Sequence, residues 1–315
     1  MELRPDIVPV SALAALGDGV LGVVRFGSRG IAQSELTHHV TLSLPLPILG
    51  DDVAEVWRCD GAVRVQQDGA LSLAISDEYL FGAIVANDDD PAAAGQRVYD
   101  AIVTAARREG FPNLLRVWNH VRDINAIEGE LERYRSFCRG RHDAFASHGY
   151  GLRADLPAAS AVGMNAGSLA TYFVASRIAA EQVENPRQVS AYDYPREYGP
   201  RSPSFSRATV SGSLVFISGT ASIVGHESRH HGDVDAQLDE TIENLDKVAT
   251  VSGATLADVI ALKVYVRDRS DCERIAARLA KRIAAPAIYL EADICRAELL
   301  LEIEAIARRE RTADL

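Results

Sequence analysis

The stretch Gln188–Ala208 concentrates side chains that could hold a small polyanion. Its phenol and guanidinium groups come from Tyr192, Tyr194, Tyr198, Arg196, Arg201 and Arg207. Apolar residues recur in it with neither the strand period nor the helix period, so a packed face does not explain its composition. A flexible linker would be rich in glycine and serine, whereas this stretch is rich in prolines and aromatic residues. We therefore predict an ordered loop that binds an anionic ligand.

Arginines from separate motifs could complete such an anion site. The candidates are Arg207 and Arg201 in the loop, Arg296 near the C terminus and Arg135 in the first half. A planar guanidinium binds a carboxylate bidentately, so several of them around one dianion would form a specific pocket. Each arginine alone would be an ordinary surface residue. The loop tyrosines can donate hydrogen bonds to a ligand or pin the loop to the core, and we expect at least one of each kind.

Glu302 is a candidate general acid. In the run LLLEIEAI, strand alternation places Leu299, Leu301 and Ile303 on one face and Glu302 with Glu304 on the other. A carboxyl surrounded by so much apolar surface would be desolvated, which raises its pKa and keeps a proton available near neutral pH. From the residue pattern alone, a solvent-facing strand carboxylate is the favoured alternative.

Metal chemistry has weak support. His226, His230 and His231 lie in a glycine-bounded stretch, GHESRHHGD, without the helical carboxylate–histidine spacing of a metal site, so a solvated loop is the favoured interpretation. The sequence contains no glycine-rich phosphate loop and no nucleophile-elbow motif. The four cysteines are widely separated and predict neither a zinc site nor a disulfide framework: Cys59, Cys138, Cys272 and Cys295.

Length and charge limit the function classes. With 315 residues the chain is long enough for about two domains. A net charge of −11 and a pI near 5.2 argue against nucleic acid or an anionic membrane as the main partner. No apolar run is long enough to cross a membrane, and Met1–Gly17 lacks the pattern of a secretory leader. We therefore expect a cytoplasmic, reduced protein.

The periodicity of apolar residues predicts an α+β fold. Strands are predicted at Gly19–Phe26, His39–Leu44, Gly61–Gln66, Tyr79–Ala86, Leu114–Val121, twice within Ala161–Ala175, and at Leu214–Ser218, Val259–Val266, Ala287–Glu291 and Leu299–Ala307. Helices are predicted at Asp90–Gly110, Glu128–Ser147, Asp233–Ser252 and Ser270–Ile283.

The two halves of the chain resemble each other. A buried strand, a helix, a glycine, a second strand and another helix occur in the same order in both halves, and the second strands end in the same tripeptide, at Val121–Asp123 and Val266–Asp268. This internal repeat predicts two α+β domains, at residues 1–187 and 188–315, joined by the loop. A ligand would be expected in a cleft at their junction.

The second half resembles the Rid/YjgF proteins, the small trimeric reactive-intermediate deaminases. The resemblance is carried by SGSLVFISGTA, by QLDETIENLDKVATVSGATLADVIALKVYVRD and by LLLEIEAIA, across residues 208–307. It implies two Rid/YjgF-like (chorismate-mutase-like) units, each a mixed sheet packed on helices.

Over most of its length the chain looks like the chorismatases, two-domain enzymes that resemble an enlarged Rid protein. The matching stretches are RVWNHVRDIN, ERYRSFCRGRHDAF, NPRQVSAYDYPREYGPRSPSFSRA, SGTASIVGHES and ADICRAELLLEIEA. The resemblance implies cleavage of the enolpyruvyl ether of chorismate with release of pyruvate, and it implies no metal or organic cofactor. It assigns the general acid to Glu302 and makes chorismate the expected small-molecule partner.

The resemblance gives a mixed indication of the second product. Cys295 occupies a position that carries cysteine in the hydroxybenzoate-forming chorismatases, whereas Ala208 occupies one that tends to be alanine in the hydrolytic type and glycine in 3-hydroxybenzoate formers. We give Cys295 the greater weight, because a thiol there can restrict water at the ring. We therefore expect 3-hydroxybenzoate, with 4-hydroxybenzoate as a further product, and we expect Ala208 and Cys295 to lie close together.

Three alternatives remain open. A hydrolytic chorismatase would give a dihydroxycyclohexadiene carboxylate and pyruvate. A Rid-type imine deaminase is disfavoured, because that family depends on an arginine opening its penultimate strand and Pro286–Glu291 opens without one. A non-catalytic ligand sensor would bind without turnover. The resemblance leaves the oligomeric state open between a monomer and a homotrimer.

Overall fold

An N-terminal sheet opens the fold in the computed structural model, which describes residues 2–27, 30–151 and 155–310. Its five strands are ordered β1-β5-β2-β4-β3. They are β1 Leu3–Pro9, β2 Val20–Phe26, β3 Gln33–Leu36, β4 Val40–Leu44 and β5 Val53–Cys59. In β4 buried and partly exposed residues alternate, as expected of a strand whose two faces have different environments.

The first α+β unit is a six-stranded mixed sheet with two helices. The elements are β6 Arg64–Asp68, β7 Leu71–Ile75, β8 Tyr79–Ala86, α1 Pro91–Arg108, β9 Asn113–Arg122, β10 Ile127–Glu128, β11 Leu131–Glu132, α2 Arg133–Ser147, β12 Ala158–Met164 and β13 Leu169–Ser176. The sheet order is β12-β9-β13-β8-β7-β6, and β10 pairs with β11 in a separate hairpin. Helix α1 begins where the Asp90 side chain accepts a hydrogen bond from the Ala92 N–H, with proline at the first helical position.

The second unit repeats this topology. Its elements are β14 Glu181–Val183, β15 Ala208–Ser211, β16 Leu214–Thr220, β17 Ile223–Val224, β18 Glu227–Ser228, α3 Val234–Val251, β19 Val259–Val266, α4 Cys272–Leu279, β20 Ala287–Glu291 and β21 Leu301–Arg308. The sheet order β14-β15-β16-β21-β19-β20 is that of the first unit read from the opposite end. In each unit one parallel pair, β12 with β9 or β20 with β19, adjoins antiparallel neighbours. The predicted α+β fold with two Rid/YjgF-like units is confirmed.

The sheets face one another and the helices lie outside them. One apolar cluster joins all three sheets, with Leu42, Trp57, Trp118, Phe216 and Tyr265 among its members. A second cluster lies between the first six-stranded sheet and helices α1 and α2, and a third lies between the second sheet and α3 and α4. Strands β12, β13 and β19 are therefore covered on both faces and are buried almost throughout.

Some predicted boundaries were wrong. Helix α2 begins at Arg133 rather than Glu128, because the preceding residues form the β10–β11 hairpin around Gly129, whose φ is +64°. Helix α4 is shorter than Ser270–Ile283 and follows a short 3₁₀ segment. The strand predicted at Gly61–Gln66 forms three residues later, at Arg64–Asp68.

The predicted domain boundary between residues 187 and 188 stays a prediction. Strand β14, which precedes it, pairs with β15 in the second sheet. Residues 3–59 form the N-terminal sheet rather than part of the first six-stranded sheet. None of the helices in the described ranges is long and apolar enough to cross a membrane.

The stretch Gln188–Ala208 is an ordered connection with little regular structure. It contains two single 3₁₀ turns, Ala191–Asp193 and Arg196–Tyr198. Its ends are fixed by backbone hydrogen bonds, from Val189 N–H to the Gly225 carbonyl and from Ser206 N–H to the Pro157 carbonyl. The loop thereby contacts both units, but it connects β14 to β15 within the second sheet instead of joining one unit to the other as the sequence predicted.

Candidate active site

A cavity of about 760 Å³, including its open mouth, lies between the two six-stranded sheets. The loop forms one wall through Tyr194, Tyr198 and Arg207, and the end of β21 contributes Glu302. Helix α2 and strand β12 of the first unit close the opposite side. The cavity therefore takes residues from both units.

Glu302 is buried in the cavity wall. It lies on β21 opposite Tyr265 of β19 and is 4% exposed. Burial, reinforced by the nearby Glu304 carboxylate, raises the pKa of Glu302 from the usual 4.5 to about 8. Its Oε1 atom makes no hydrogen bond within the described part of the chain. Glu302 is therefore a protonated carboxylic acid at neutral pH whose proton is available to a ligand.

Gly219 makes room for this carboxyl. The pairing of β16 with β21 is irregular between Ile217 and Thr220, so Gly219 lies at a local distortion of the strand. A Cβ atom at this position would lie 2.0 Å from Glu302 Oε1 and 3.0 Å from the Cβ of Ser160. Only glycine permits the observed position of the Glu302 side chain.

Glu304, two residues further along β21, has the opposite environment. Its Oε1 accepts hydrogen bonds from Trp118 Nε1 and Lys263 Nζ, each at 2.8 Å. Its Oε2 accepts from Ser160 Oγ at 2.8 Å and pairs with the Arg116 guanidinium. Burial alone would raise the pKa of Glu304, but Lys263 and Arg116 outweigh it and lower the pKa to about 2. Glu304 is therefore a buried, fully paired carboxylate.

Arg207 and Arg296 carry unused donors beside the cavity. Arg207 donates through Nη2 to the Val189 carbonyl and to the Tyr194 hydroxyl, each at 2.9 Å, while its Nε has no partner. The Arg296 guanidinium stacks 4.3 Å from the ring centre of Tyr198, and its Nη2 has no partner. Neither arginine forms a close ion pair with any described carboxylate. Arg207 is buried and Arg296 is half-buried, and guanidinium groups with unused donors in such positions are suited to an anionic ligand.

Arg141 is a cavity residue that the sequence analysis missed. It lies on α2, is 1% exposed and donates to Cys138 Sγ at 3.7 Å, while its Nε has no partner. No carboxylate in the ranges covered by the structure forms an ion pair with it. The sequence did contain a signal, because Phe137, Arg141 and Phe145 follow one another at helical spacing, which puts a guanidinium in the middle of the buried stripe.

Cys295 lines the cavity as a neutral thiol. Burial, with a further contribution from Glu302, raises the pKa of the Cys295 thiol well above its usual range. The thiol is therefore neither a nucleophile nor a base at neutral pH. It provides an apolar surface that limits the room for water near Glu302.

The structure brings most of the predicted site residues together. Those that line the cavity are Glu302, Cys295, Arg207, Arg296, Arg135, Tyr194 and Tyr198. Arg135 lies at the mouth, where its Nε is 3.3 Å from Glu132. Its side chain packs within reach of Gly199 in the loop.

Three predicted binding residues are not in the cavity wall. The Arg201 side chain is 52% exposed and lies 3.6 Å from Asp143 on the outer surface. Tyr192 packs against the core of the first unit and lines a separate surface hollow. Ala208 is fully buried in the apolar core of the second unit, because strand alternation points it away from the face that carries Arg207. Ala208 is not among the residues of the cavity wall, and its predicted proximity to Cys295 stays a prediction.

The histidines of the GHESRHHGD stretch have separate partners. His226 Nδ1 is 3.2 Å from the Tyr198 hydroxyl, His230 contacts Glu240 and His231 contacts the Ser228 carbonyl. No group of three or more metal-ligating side chains occurs among the residues that the structure describes.

Comparison with known proteins identifies the family. Residues 55–175 match the family "Chorismatase FkbO/Hyg5-like, N-terminal", and residues 200–309 match "Endoribonuclease L-PSP". A chorismatase of Streptomyces rapamycinicus is 38% identical, with 91% of this chain and 92% of the relative covered. A 3-hydroxybenzoate synthase of Streptomyces hygroscopicus is 35% identical, with 96% and 94% covered. A chorismatase crystal structure superposes with a TM-score of 0.91 at 33% identity, covering 97% of this chain and 98% of that one.

The chain belongs to the chorismatase family. It is an enzyme, and its cavity at the junction of the two units is the candidate active site. The resemblance found in the sequence is thereby confirmed at the level of family and fold.

Proposed function

We propose that this chorismatase cleaves the enolpyruvyl ether of chorismate and releases pyruvate, with 3-hydroxybenzoate as the main aromatic product and 4-hydroxybenzoate as a further one. The observation that carries the proposal is the protonated Glu302 carboxyl in a cavity surrounded by unpaired arginines. Chorismate is a dianion with an acid-labile enol ether, so it needs both features. The names and extent of the similar proteins support the same substrate.

Binding is assigned to the uncompensated guanidinium groups. Arg207, Arg296 and Arg141 bind the two substrate carboxylates, and the desolvation of these arginines is compensated by the ligand. Tyr194 and Tyr198 hold the guanidinium groups in place through a hydrogen bond and ring stacking. The two negative charges of the substrate and the positive charges of these arginines thus balance each other in an otherwise acidic protein.

The chemistry begins with proton transfer to carbon. Glu302 gives its proton to the terminal methylene of the enol ether, which becomes the methyl group of pyruvate, and an oxocarbenium ion forms beside the new Glu302 carboxylate. In the hydroxybenzoate route the neighbouring ring hydroxyl displaces the side chain as pyruvate, and its released proton returns to Glu302. This displacement leaves an epoxide across the two ring carbons. One of its C–O bonds then breaks, the oxygen takes up a proton, and the ring carbon that keeps the oxygen loses its C–H proton, which gives the aromatic acid without net addition of water.

Water is the competing nucleophile. If one water adds to the oxocarbenium carbon, the resulting hemiketal breaks down to pyruvate and the dihydroxycyclohexadiene carboxylate. The neutral Cys295 thiol occupies space beside Glu302, which disfavours a water molecule there and favours the intramolecular route.

The test is a chorismate digest with purified enzyme, followed by HPLC of the products and a lactate dehydrogenase assay of pyruvate. We expect equimolar pyruvate and hydroxybenzoate. Pyruvate with the diene diol alone would overturn the assignment of the aromatic product, and chorismate binding without pyruvate would overturn the enzyme assignment for this substrate. Glu302→Gln should bind chorismate without releasing pyruvate, and retained turnover would remove Glu302 from the acid role.

A further inference from the structure

Two carboxyl groups on the same face of β21 differ in their hydrogen-bond and ion-pair partners. Glu302 and Glu304 are each 4% exposed and point into the space between the sheets. Glu304 accepts hydrogen bonds or ion pairs on both oxygens, whereas Glu302 has an oxygen with no partner. The difference lies in where the buried cations are.

Two cations near this face, Arg116 and Lys263, are bound to Glu304. The Arg116 guanidinium, 1% exposed, pairs with Glu304 Oε2, and Lys263 Nζ lies 2.8 Å from Glu304 Oε1. Lys263 also lies 2.9 Å from Glu55, which accepts a hydrogen bond from the Tyr172 hydroxyl at 2.7 Å. Arg116, Lys263, Glu304 and Glu55 together carry no net charge. Glu302 can therefore stay neutral without leaving either Arg116 or Lys263 unbalanced.

We infer that Glu304 is a positioning residue, which holds Arg116 and Lys263 away from Glu302 and thereby keeps Glu302 protonated for catalysis. If Glu304 lacked its charge, the nearest buried cation would have no partner and would be balanced by ionisation of Glu302. The acid would then have no proton to give. This inference rests on the proposed role of Glu302 as the general acid.

The remaining groups around Glu302 do not replace this function. The titratable or charged residues that face Glu302 come from several elements. They are Glu304 of β21, Arg116 of β9, Arg207 of the loop, Cys295 of the segment before β21 and Tyr265 of β19. Burial raises the pKa values of the Cys295 thiol and the Tyr265 hydroxyl, so both are neutral. Arg207 is held by the Tyr194 hydroxyl and the Val189 carbonyl on the side of the anion site.

The test measures the pKa of Glu302 directly, apart from activity. The full-length enzyme is labelled with ¹³C at the glutamate carboxyl carbons, and the Glu302 resonance is assigned by its loss in Glu302→Gln. The titration is then repeated in Glu304→Gln, which removes the anion, in Arg116→Met, which removes a cation, and in Glu55→Gln. The last variant makes the same carboxyl-to-amide change at the far side of Lys263 and is the matched control.

Glu304→Gln and Arg116→Met should shift the pKa of Glu302 in opposite directions. We expect Glu304→Gln to lower the Glu302 pKa by about one unit or more and Arg116→Met to raise it, with a smaller lowering in Glu55→Gln. A cavity that merely opened to water would lower the value in every variant. An unchanged pKa in Glu304→Gln, or a fall in Arg116→Met, would overturn the inference.

The same variants separate this inference from the proposed function. A Glu302 pKa one unit below about 8 would leave about half of the carboxyls ionised at pH 7, so pyruvate release by Glu304→Gln at neutral pH should fall about twofold, and about tenfold for a shift of two units. Activity should recover as the pH is lowered, because the acid regains its proton. If Glu304→Gln does not fold, Arg116→Met decides, since loss of this cation raises the Glu302 pKa whereas a cavity opened to water lowers it. Turnover retained by Glu302→Gln would instead overturn the acid assignment, whatever the titrations show.

Discussion

Replacing Gly219 with alanine tests whether the position of the Glu302 carboxyl controls catalysis. The added Cβ would lie 2.0 Å from Glu302 Oε1 and 2.7 Å from its carboxyl carbon, whereas real Cβ contacts are essentially never shorter than 3.0 Å. The carboxyl must therefore move by about 1 Å, and a misplacement of that size at a reacting group can cost about 100-fold in rate. We expect kcat to fall about 100-fold while KM changes by less than about threefold, because the arginine groups are not displaced.

Gly17→Ala provides the matched control for this experiment. Its added Cβ would have no atom within 4 Å, and its backbone does not require glycine. Both variants are assayed for pyruvate release with a lactate dehydrogenase couple and for folding by circular dichroism and thermal unfolding. The overpacking at Gly219 should cost about 1–3 kcal/mol of stability, which leaves a measurable folded fraction. A folded Gly219→Ala enzyme with kcat within about twofold of wild type would refute the reasoning.

Four further outcomes follow from the site. Between about pH 6 and about pH 9 kcat/KM should fall through the Glu302 pKa of about 8, and a flat profile would contradict the acid assignment. Since folding raises this pKa, protonation of Glu302 stabilises the fold below about pH 4.5 and that stability is lost as pH rises through about 8, so Glu302→Gln should melt higher than wild type in alkaline buffer. Cys295→Ala should increase the diene diol in the HPLC profile by admitting water, whereas Cys272→Ala, outside the cavity, should leave the profile unchanged. Arg207→Ala should raise KM for chorismate about 10- to 100-fold, and the surface substitution Arg201→Ala should leave it within about twofold.

The sequence predicted the placement of the β21 carboxyl groups, through strand alternation, better than it predicted the placement of the loop side chains. The run LLLEIEAI placed Glu302 and Glu304 on a common face, and both side chains indeed point into the space between the sheets. It could not show that the two carboxyls differ, because their cations come from β9 and β19, far away in sequence. The buried position of Glu302 overturns the solvent-facing alternative, since a second sheet covers the face that would otherwise be exposed.

The loop shows where residue type misleads. Arg201 and Arg207 are of the same type and lie six positions apart, yet one is on the surface and the other is 5% exposed at the cavity. Their difference in exposure depends on where the chain turns in space. In irregular backbone no periodic pattern of apolar residues indicates which side chains are buried. Arg141 was missed for the opposite reason: its helix was predicted, but a charged residue within an apolar stripe was not taken as a signal. Ala208 lies outside the cavity wall because the strand that follows the loop begins there and directs its side chain into the core of the second unit.

The proposed general acid of the duplicated fold lies in the second unit. Aligning Val121 with Val266 through the strand registers makes Ala170 of β13 the counterpart of Glu302, and Tyr172 the counterpart of Glu304. The first unit therefore has no acid at the equivalent position. Its central strands instead supply an aromatic wall, in which Trp118 and Tyr172 stack with ring centres 4.4 Å apart.

This aromatic wall also explains why a single site needs both units. Lys263 Nζ lies 5.2 Å from the ring centre of Trp118 and 5.4 Å from that of Tyr172, so the first unit encloses the cation that pairs with Glu304. The same enclosure excludes water from β21, and exclusion of water is the main cause of the raised pKa of Glu302. An isolated second unit would expose this face to solvent, and its Glu302 would titrate as an ordinary carboxylate. The raised pKa of Glu302 is thus a property of the junction between the units rather than of the strand that carries Glu302.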